Sequence, residues 1–223
     1  MATQRKIVFR NDYIYHVFNR GIERRSTFND RNELNRATQL LKFYRHKGIP
    51  IRFSKVMQQP ENIRNKIFDE LYKSEQIVKI LSYCLMPNHF HFLLKQTSEG
   101  GIPRFISNFT NAYTKYFNTK YKRVGPLFQG IFKAVLIESD EQLIHVSRYI
   151  HLNPVTSSII EKNHLEKYYW SSYPEYISTL DTDISDKEMV LEMFKSVEDY
   201  KKFVEDQIDY AKKLDLIKHI ISE

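Results

Sequence analysis

Two histidines one residue apart, His89 and His91 in the run His-Phe-His, are the first residues whose types and spacing suggest chemistry. Alternate side chains of a strand share a face, so both imidazoles come within reach of one ion while Phe90 turns into the core. Two ligands do not complete a site. A second set lies on a helical stretch from Asp140 to His151, where Gln142, His145, Tyr149 and Asn153 recur at three- or four-residue spacing. They lie on one face, and Leu143, Val146, Ser147 and Ile150 form the inward stripe on another. Tyr149 and Asn153 are one turn apart. If their face overlies the histidine strand, Asn153 offers a neutral oxygen ligand and Tyr149 sits beside the ion, aimed at whatever that ion polarises. Taken singly, the same residues fit a packed histidine pair and a surface tyrosine.

Positioning them requires a frame of strands and helices. Tyr13 to Arg20 alternates apolar and polar groups as a half-buried strand does, and Gly21 permits a turn. Asn32 to Lys47 has helical spacing and ends at Gly48. Ile51 to Met57 is expected to be a strand and Pro60 to Lys73 a helix, together an insertion of roughly residues 49–75. Ile77 to Met86 and His89 to Lys95 read as a hairpin turned by Pro87-Asn88. A helix from Pro103 to about Tyr121 follows, then a Gly-Pro loop and a strand from Phe132 to Glu138. The next helix is opened by a Ser139-x-x-Gln142 capping box and closed by Pro154. The pattern predicts an α+β sandwich with a central antiparallel sheet.

Charge gives a further clue. The net charge is +7, but residues after Leu180 carry −5, so the first 180 residues carry +12. A basic body suggests a polyanionic partner, nucleic acid before membrane. From Gly100 through Ile137 there are basic residues and no acid. Within that helix Arg104, Asn108, Asn111, Lys115, Asn118 and Lys122 form a polar stripe suited to phosphate oxygens, with Arg123 and Lys133 beyond it. The aromatic residues on its other side, from Phe105 to Phe117, read as core rather than as base-stacking platforms. No apolar run is long enough to span a membrane, and no apolar core of a secretion signal follows the first Met, so a cytoplasmic, nucleoid-associated location is expected. The single cysteine, Cys84, excludes an intramolecular disulfide and a Cys-rich zinc site.

Four stretches carry a family resemblance: Tyr83 to Leu94, Gly125 to Gly130, Arg148 to Val155, and Trp170 to Tyr173. With Tyr15-His-Val they run colinearly from about Tyr13 to Tyr173 and resemble the single-tyrosine HUH transposases of the insertion-sequence class. Within it they resemble the REP-associated tyrosine transposases. The resemblance implies a ferredoxin-like or RRM-like fold and a reaction on single-stranded DNA next to a hairpin. It implies His89 and His91 as metal ligands, Asn153 as the third protein ligand, and Tyr149 as the nucleophile. It also implies a Mg²⁺ or Mn²⁺ ion, a 5′-phosphotyrosine link, and no nucleotide cofactor. Tyrosine suits that task, because a phenol is both a better nucleophile and a better leaving group than a serine hydroxyl.

The expected organisation is a catalytic domain over residues 1–180 and an acidic, helical extension over 181–223. In that extension Met189, Leu191, Phe194, Val197, Phe203, Val204, Ile208, Leu214 and Ile217 have the periodicity of packed helices. Arg104, Asn108, Asn111, Lys115, Lys122, Arg123, Lys133 and Arg148 are the candidate DNA contacts, and the protein is expected to be a monomer or homodimer. Ile131 stands where relatives commonly carry a basic residue, which moves one phosphate contact to Lys133 or removes it. The competing function is a transposase-derived protein that binds hairpin DNA or RNA without cutting it.

Overall fold

The computed structural model describes residues 7–208. Strand β1 (Ile14–Arg20) buries Tyr15, Val17 and Asn19 on one side and sends Ile14, His16, Phe18 and Arg20 to the other. Helix α1 (Arg31–Tyr44) starts where Asp30 accepts the Glu33 N–H at 2.9 Å, while the Glu33 carboxylate accepts the Asn29 N–H at 2.6 Å. It ends at Tyr44, four residues before Gly48, because the Arg45 carbonyl is taken by the N–H of Ile77.

The insertion forms α2 (Phe53–Val56) and α3 (Glu61–Tyr72). The strand expected over Ile51 to Met57 is therefore wrong. The run alternates like a strand but finds no neighbour to pair with, whereas one helical turn buries Phe53 and Val56 together against α1. The hairpin is β2 (Val78–Met86) and β3 (His89–Gln96). Helix α4 (Gly101–Lys120) follows, then β4 (Lys133–Leu136) and α5 (Asp140–Thr156).

Expected to close α5, Pro154 lies inside its last turn. A proline there forfeits a single hydrogen bond, and the chain turns only after Ser157 N–H has bonded the Asn153 carbonyl at 3.0 Å. Short helices α6 (Tyr173–Tyr176), α7 (Glu188–Leu191) and α8 (Val197–Glu205) complete the described residues. Leu214 and Ile217 lie outside the described residues.

The four strands form an antiparallel sheet in the order β2-β3-β1-β4, the ferredoxin-like arrangement. Helices α1 and α4 cover one face. There Phe90 and Phe92 of β3 stack 4.4 Å apart and meet Phe109 of α4 edge-on at 5.4 Å each. Burying each such ring contributes roughly 2–3 kcal/mol, so this aromatic ladder is a main fastening of helix to sheet. Helix α5 lies on the opposite face over the β2 half, packed on Leu81, Cys84, Met86 and Leu93. A bulge between Ile80 and Ser82 doubles up the residues that β2 turns toward α5. Beneath α5, Tyr200, Val204 and Ile208 of the extension are fully buried.

The outer edge of β2 is covered. Ser171 bridges Cys84, the N–H of Leu85 bonds Trp170, and the N–H of Asp186 bonds Ile80. On the α5 face, the β1–β4 half of the sheet stays open, with Val135 47% exposed.

Candidate active site

The histidines sit at the border between the covered and the open half of that face. In register, His89 opposes Arg20 and His91 opposes Phe18, which opposes Lys133 in turn. Directly opposed residues share a face. His16, Phe18, Arg20, His89, His91 and Lys133 therefore look the same way, while Phe90 faces α4.

The two imidazoles lie 5.0 Å apart and nearly perpendicular. Nδ1 of His89 is 2.6 Å from Oδ1 of Asn88, and Nδ1 of His91 is 2.9 Å from Nε2 of His16. Burial lowers the pKa of His89 to about 4, helped by the Arg20 charge and opposed by a hydrogen bond with Asn153. Burial also holds His91 well below the usual histidine range, with His16, His89 and Arg20 adding to it. Both rings are neutral at pH 7, the form that ligates metal.

Helix α5 brings its own two residues to this point. Its Ser139 cap accepts the Gln142 N–H at 3.1 Å, and Gln142 Oε1 accepts from Glu138 at 2.7 Å, which fixes the helix start. The Tyr149 ring lies edge-on to His91 at 5.5 Å and to His16 at 5.9 Å, with the residue 46% exposed. One turn later the buried Asn153 donates from Nδ2 to the Tyr149 carbonyl at 2.8 Å while its carboxamide reaches His89. Tyr149, His89, His91 and Asn153 are thus brought together within one chain.

A divalent ion suits this set. The engaged Nδ1 atoms leave the Nε2 atoms as donors, and the carboxamide adds an oxygen without charge. Among the described residues no group of three or more His, Cys, Asp or Glu side chains is arranged to hold a metal. An all-protein cage is therefore lacking, and an ion here would keep open positions for phosphate and water.

The candidate DNA contacts divide into groups. Lys133 is exposed on the site face. The α4 stripe of Arg104, Asn108, Asn111 and Lys115 lies on the other side of the sheet, pointing away from it, and is not brought to the histidines; Lys122, expected on the same stripe, falls in the turn after the helix, where its φ of 49° breaks the helical spacing. Amphipathicity tells which side of a helix is inward but not which layer the helix joins. A shallow groove of about 440 Å³ runs along it, lined by Asn111, Lys115, Asn118 and Arg123 among others. Arg123 is tied to Asn118 Oδ1 at 2.6 Å and organises the loop that follows. That loop returns to the site end of β1, where Gln129 N–H bonds the Arg20 carbonyl and Asn19 Nδ2 bonds the Gln129 carbonyl. A larger depression, about 470 Å³, is lined mainly by Glu161, Glu166 and Glu205 and holds none of these residues.

Arg148 turns away from the site. Its guanidinium lies 4.1 Å from the Phe203 ring centroid, donates to the Phe203 carbonyl at 3.2 Å, and is 2.7 Å from His145 Nδ1. Nor is the acid-free stretch free of acids in space, since Lys120 pairs with Asp30 and Glu33 of α1. Two site residues were missed in the sequence, His16 and Arg20. Their signal was the same alternation that places His89 and His91 on one face.

A family model described as IS200-like transposase matches residues 9–153, from just before β1 through Asn153. The chain belongs to the IS200-like transposase family. A solved structure of a REP-associated tyrosine transposase bound to a REP hairpin shares the fold of this transposase-family chain. It is 14% identical, covers 82% of this chain and 94% of that one, and superposes with a TM-score of 0.50. Among curated proteins nothing matches. Among the described residues no helix of this family member is long and apolar enough to cross a membrane.

Proposed function

We propose that the protein is a metal-dependent endonuclease and strand transferase for single-stranded DNA, acting beside a hairpin through a 5′-phosphotyrosine link at Tyr149. One observation carries the reading: the Tyr149 ring stands edge-on to His91 at 5.5 Å while Asn153, on the same helix, reaches His89. The membership in a transposase family supports the reaction class, and the hairpin held by the fold relative supports the substrate.

In the first step the Tyr149 phenol oxygen attacks phosphorus and the bond to the 3′ oxygen breaks. The phenol proton passes to water and water returns a proton to the departing 3′ oxygen, so the upstream strand leaves with a 3′-hydroxyl while the downstream 5′-phosphate stays on the tyrosine. Mg²⁺ or Mn²⁺ held by His89, His91 and Asn153 would supply neutralising charge at the phosphate oxygens. Arg20 and Lys133 face the same open surface and add positive charge there. Because the phosphotyrosine link keeps the free energy of the broken bond, another 3′-hydroxyl attacks it and rejoins DNA without a nucleotide cofactor. The α4 stripe grips the backbone of the stem through phosphate contacts, independent of sequence.

Catalysis is assigned to residues 1–180, and support of the tyrosine helix to the described part of the extension, residues 181–208. A single chain carries the whole set, so a monomer is competent, and a nucleoid-associated location goes with the substrate. End-labelled hairpin-bearing single strands incubated with and without Mn²⁺ test the reading on a denaturing gel. The wild type forms a protein-linked product only with metal, and Tyr149→Phe forms none while binding the hairpin nearly as well. An adduct in Tyr149→Phe refutes the nucleophile. Tight binding of many hairpins with no wild-type adduct replaces the reading with that of a non-cleaving hairpin-binding protein.

A further inference from the structure

The site holds a third imidazole. His16, on β1, places Nε2 2.9 Å from Nδ1 of His91, and the two rings stack at 5.1 Å and 25°. Tyr149 stands edge-on to both. His16 thus braces the buried ligand candidate from the side away from His89.

A neutral imidazole carries one N–H and one lone pair, and only the lone pair can bind an ion. For His89 the choice is made locally. Asn88 donates Nδ2 to the Arg24 carbonyl at 3.4 Å, which turns its Oδ1 to His89 Nδ1 at 2.6 Å. A carboxamide oxygen only accepts, so Asn88 favours the hydrogen on Nδ1 and the lone pair on Nε2, while the Asn153 carboxamide competes for the same single hydrogen. His91 has no such partner of fixed character. Its Nδ1 meets another imidazole nitrogen, and whichever ring donates decides whether His91 offers a lone pair or a hydrogen at Nε2.

We infer that His16 is a positioning residue for His91: it accepts the His91 Nδ1–H, fixes that ring's plane and tautomer, and so presents the Nε2 lone pair. The inference rests on reading His89, His91, Asn153 and Tyr149 as the reacting centre. It accounts for a polar ring at position 16, where strand alternation alone would accept any half-buried side chain. A ligating imidazole that loses the partner of its other nitrogen typically loses about 10–100-fold in metal affinity.

Two substitutions separate the ring from its acceptor. His16→Phe keeps a stacked ring and removes the acceptor, whereas His16→Gln restores a carbonyl oxygen near the place of Nε2. Long-range ¹H–¹⁵N spectra of the labelled full chain at pH 7.5 without metal report the tautomer, and Mn²⁺ titration followed by electron paramagnetic resonance reports affinity. The expected result is His91 as the Nδ1–H form in wild type and His16→Gln, and a shift toward Nε2–H in His16→Phe. Mn²⁺ affinity falls about 10–100-fold in His16→Phe and recovers in His16→Gln.

Wild-type His91 protonated at Nε2 overturns the inference, as does an unchanged tautomer and Mn²⁺ affinity in His16→Phe. The wild-type spectrum decides even if His16→Phe does not fold. If wild type binds no Mn²⁺ while the tautomer still depends on residue 16, the brace stands and the catalytic reading falls.

Discussion

Replacing Tyr200 by Phe removes one oxygen from the buried layer under α5 and tests what holds the tyrosine helix. The Tyr200 hydroxyl is fully buried, 2.6 Å from Ser147 Oγ and 2.7 Å from His151 Nδ1. Those partners lie two residues before and two after Tyr149, on the side of α5 that faces inward. His151 has its other nitrogen on Ser172 Oγ at 2.7 Å, so without the hydroxyl one ring nitrogen is left unpaired in a dry interior. Ser147 keeps a contact of 3.3 Å with Ser82 Oγ and is partly compensated.

Leaving a buried polar group unsatisfied costs about 1–3 kcal/mol, which puts the whole change at about 2–4 kcal/mol. In a chain of this size each kcal/mol moves Tm by about 2–4 °C, so the Tm followed by circular dichroism falls by roughly 4–16 °C. Tyr169→Phe, at an exposed tyrosine, serves as the control and leaves Tm within about 1 °C. Because Ser147 and Tyr200 share one hydrogen bond, Ser147→Ala combined with Tyr200→Phe costs less than the two single changes together. A Tm within about 1 °C of wild type in Tyr200→Phe would falsify the claim that this hydroxyl ties α5 down.

Three further outcomes are expected. Lys120→Met strands the Glu33 carboxylate, which is fully buried and 2.7 Å from Lys120 Nζ, and lowers stability in urea unfolding by about 3 kcal/mol; a loss below about 1 kcal/mol contradicts the pairing. Stability also falls on mild acidification. Burial lowers the pKa of His151 to about 3 and also lowers that of His46, so just below about pH 6.5 the unfolded chain binds protons that the folded chain refuses. Their contribution is therefore complete above pH 6.5 and is lost as pH drops below it, about 1.4 kcal/mol for His151 at pH 5.5, with His46 adding in the same direction. Tm is expected to fall from pH 7.5 to 5.5, by less in His46→Gln, and an equal fall in both proteins counts against it. Finally, Lys115→Ala and Arg104→Ala each reduce the salt dependence of hairpin binding by about one unit of slope while leaving adduct formation at saturation unchanged. Loss of the adduct at saturation in either variant places the stripe in the chemistry instead.

The strand alternation around His89 and the helical spacing of Tyr149 and Asn153 were legible because each is a local period. So were β1, the β2–β3 hairpin, α1, α4 and α5, whose apolar stripes are long. Ile51 to Met57 misled because a seven-residue run fits either period, and the presence of a pairing neighbour decided it. The bond between His16 and His91 is a matter of register between strands far apart in sequence, which no local pattern encodes. Arg148 carried the signs of a phosphate contact, but its partner Phe203 lies in the extension, and only the packed tail shows where the guanidinium goes. From Arg104 to Asn118 the polar residues share one face of α4, while Lys122 drops out because the helix ends before it, and the layer that α4 joins followed from the topology of the whole sheet.

Covering the outer edge of β2 with residues 170–186 has a consequence for biosynthesis. About 100 residues separate the end of β2 from Asp186, and at translation speeds of about 5–20 residues per second that edge leaves the ribosome roughly 5–20 s before its cover does. During that interval the nascent chain offers bare peptide groups to any other extended segment nearby. Slow codons or a stall while the segment up to Asp186 is being made would lengthen this vulnerable period without altering one contact of the finished protein.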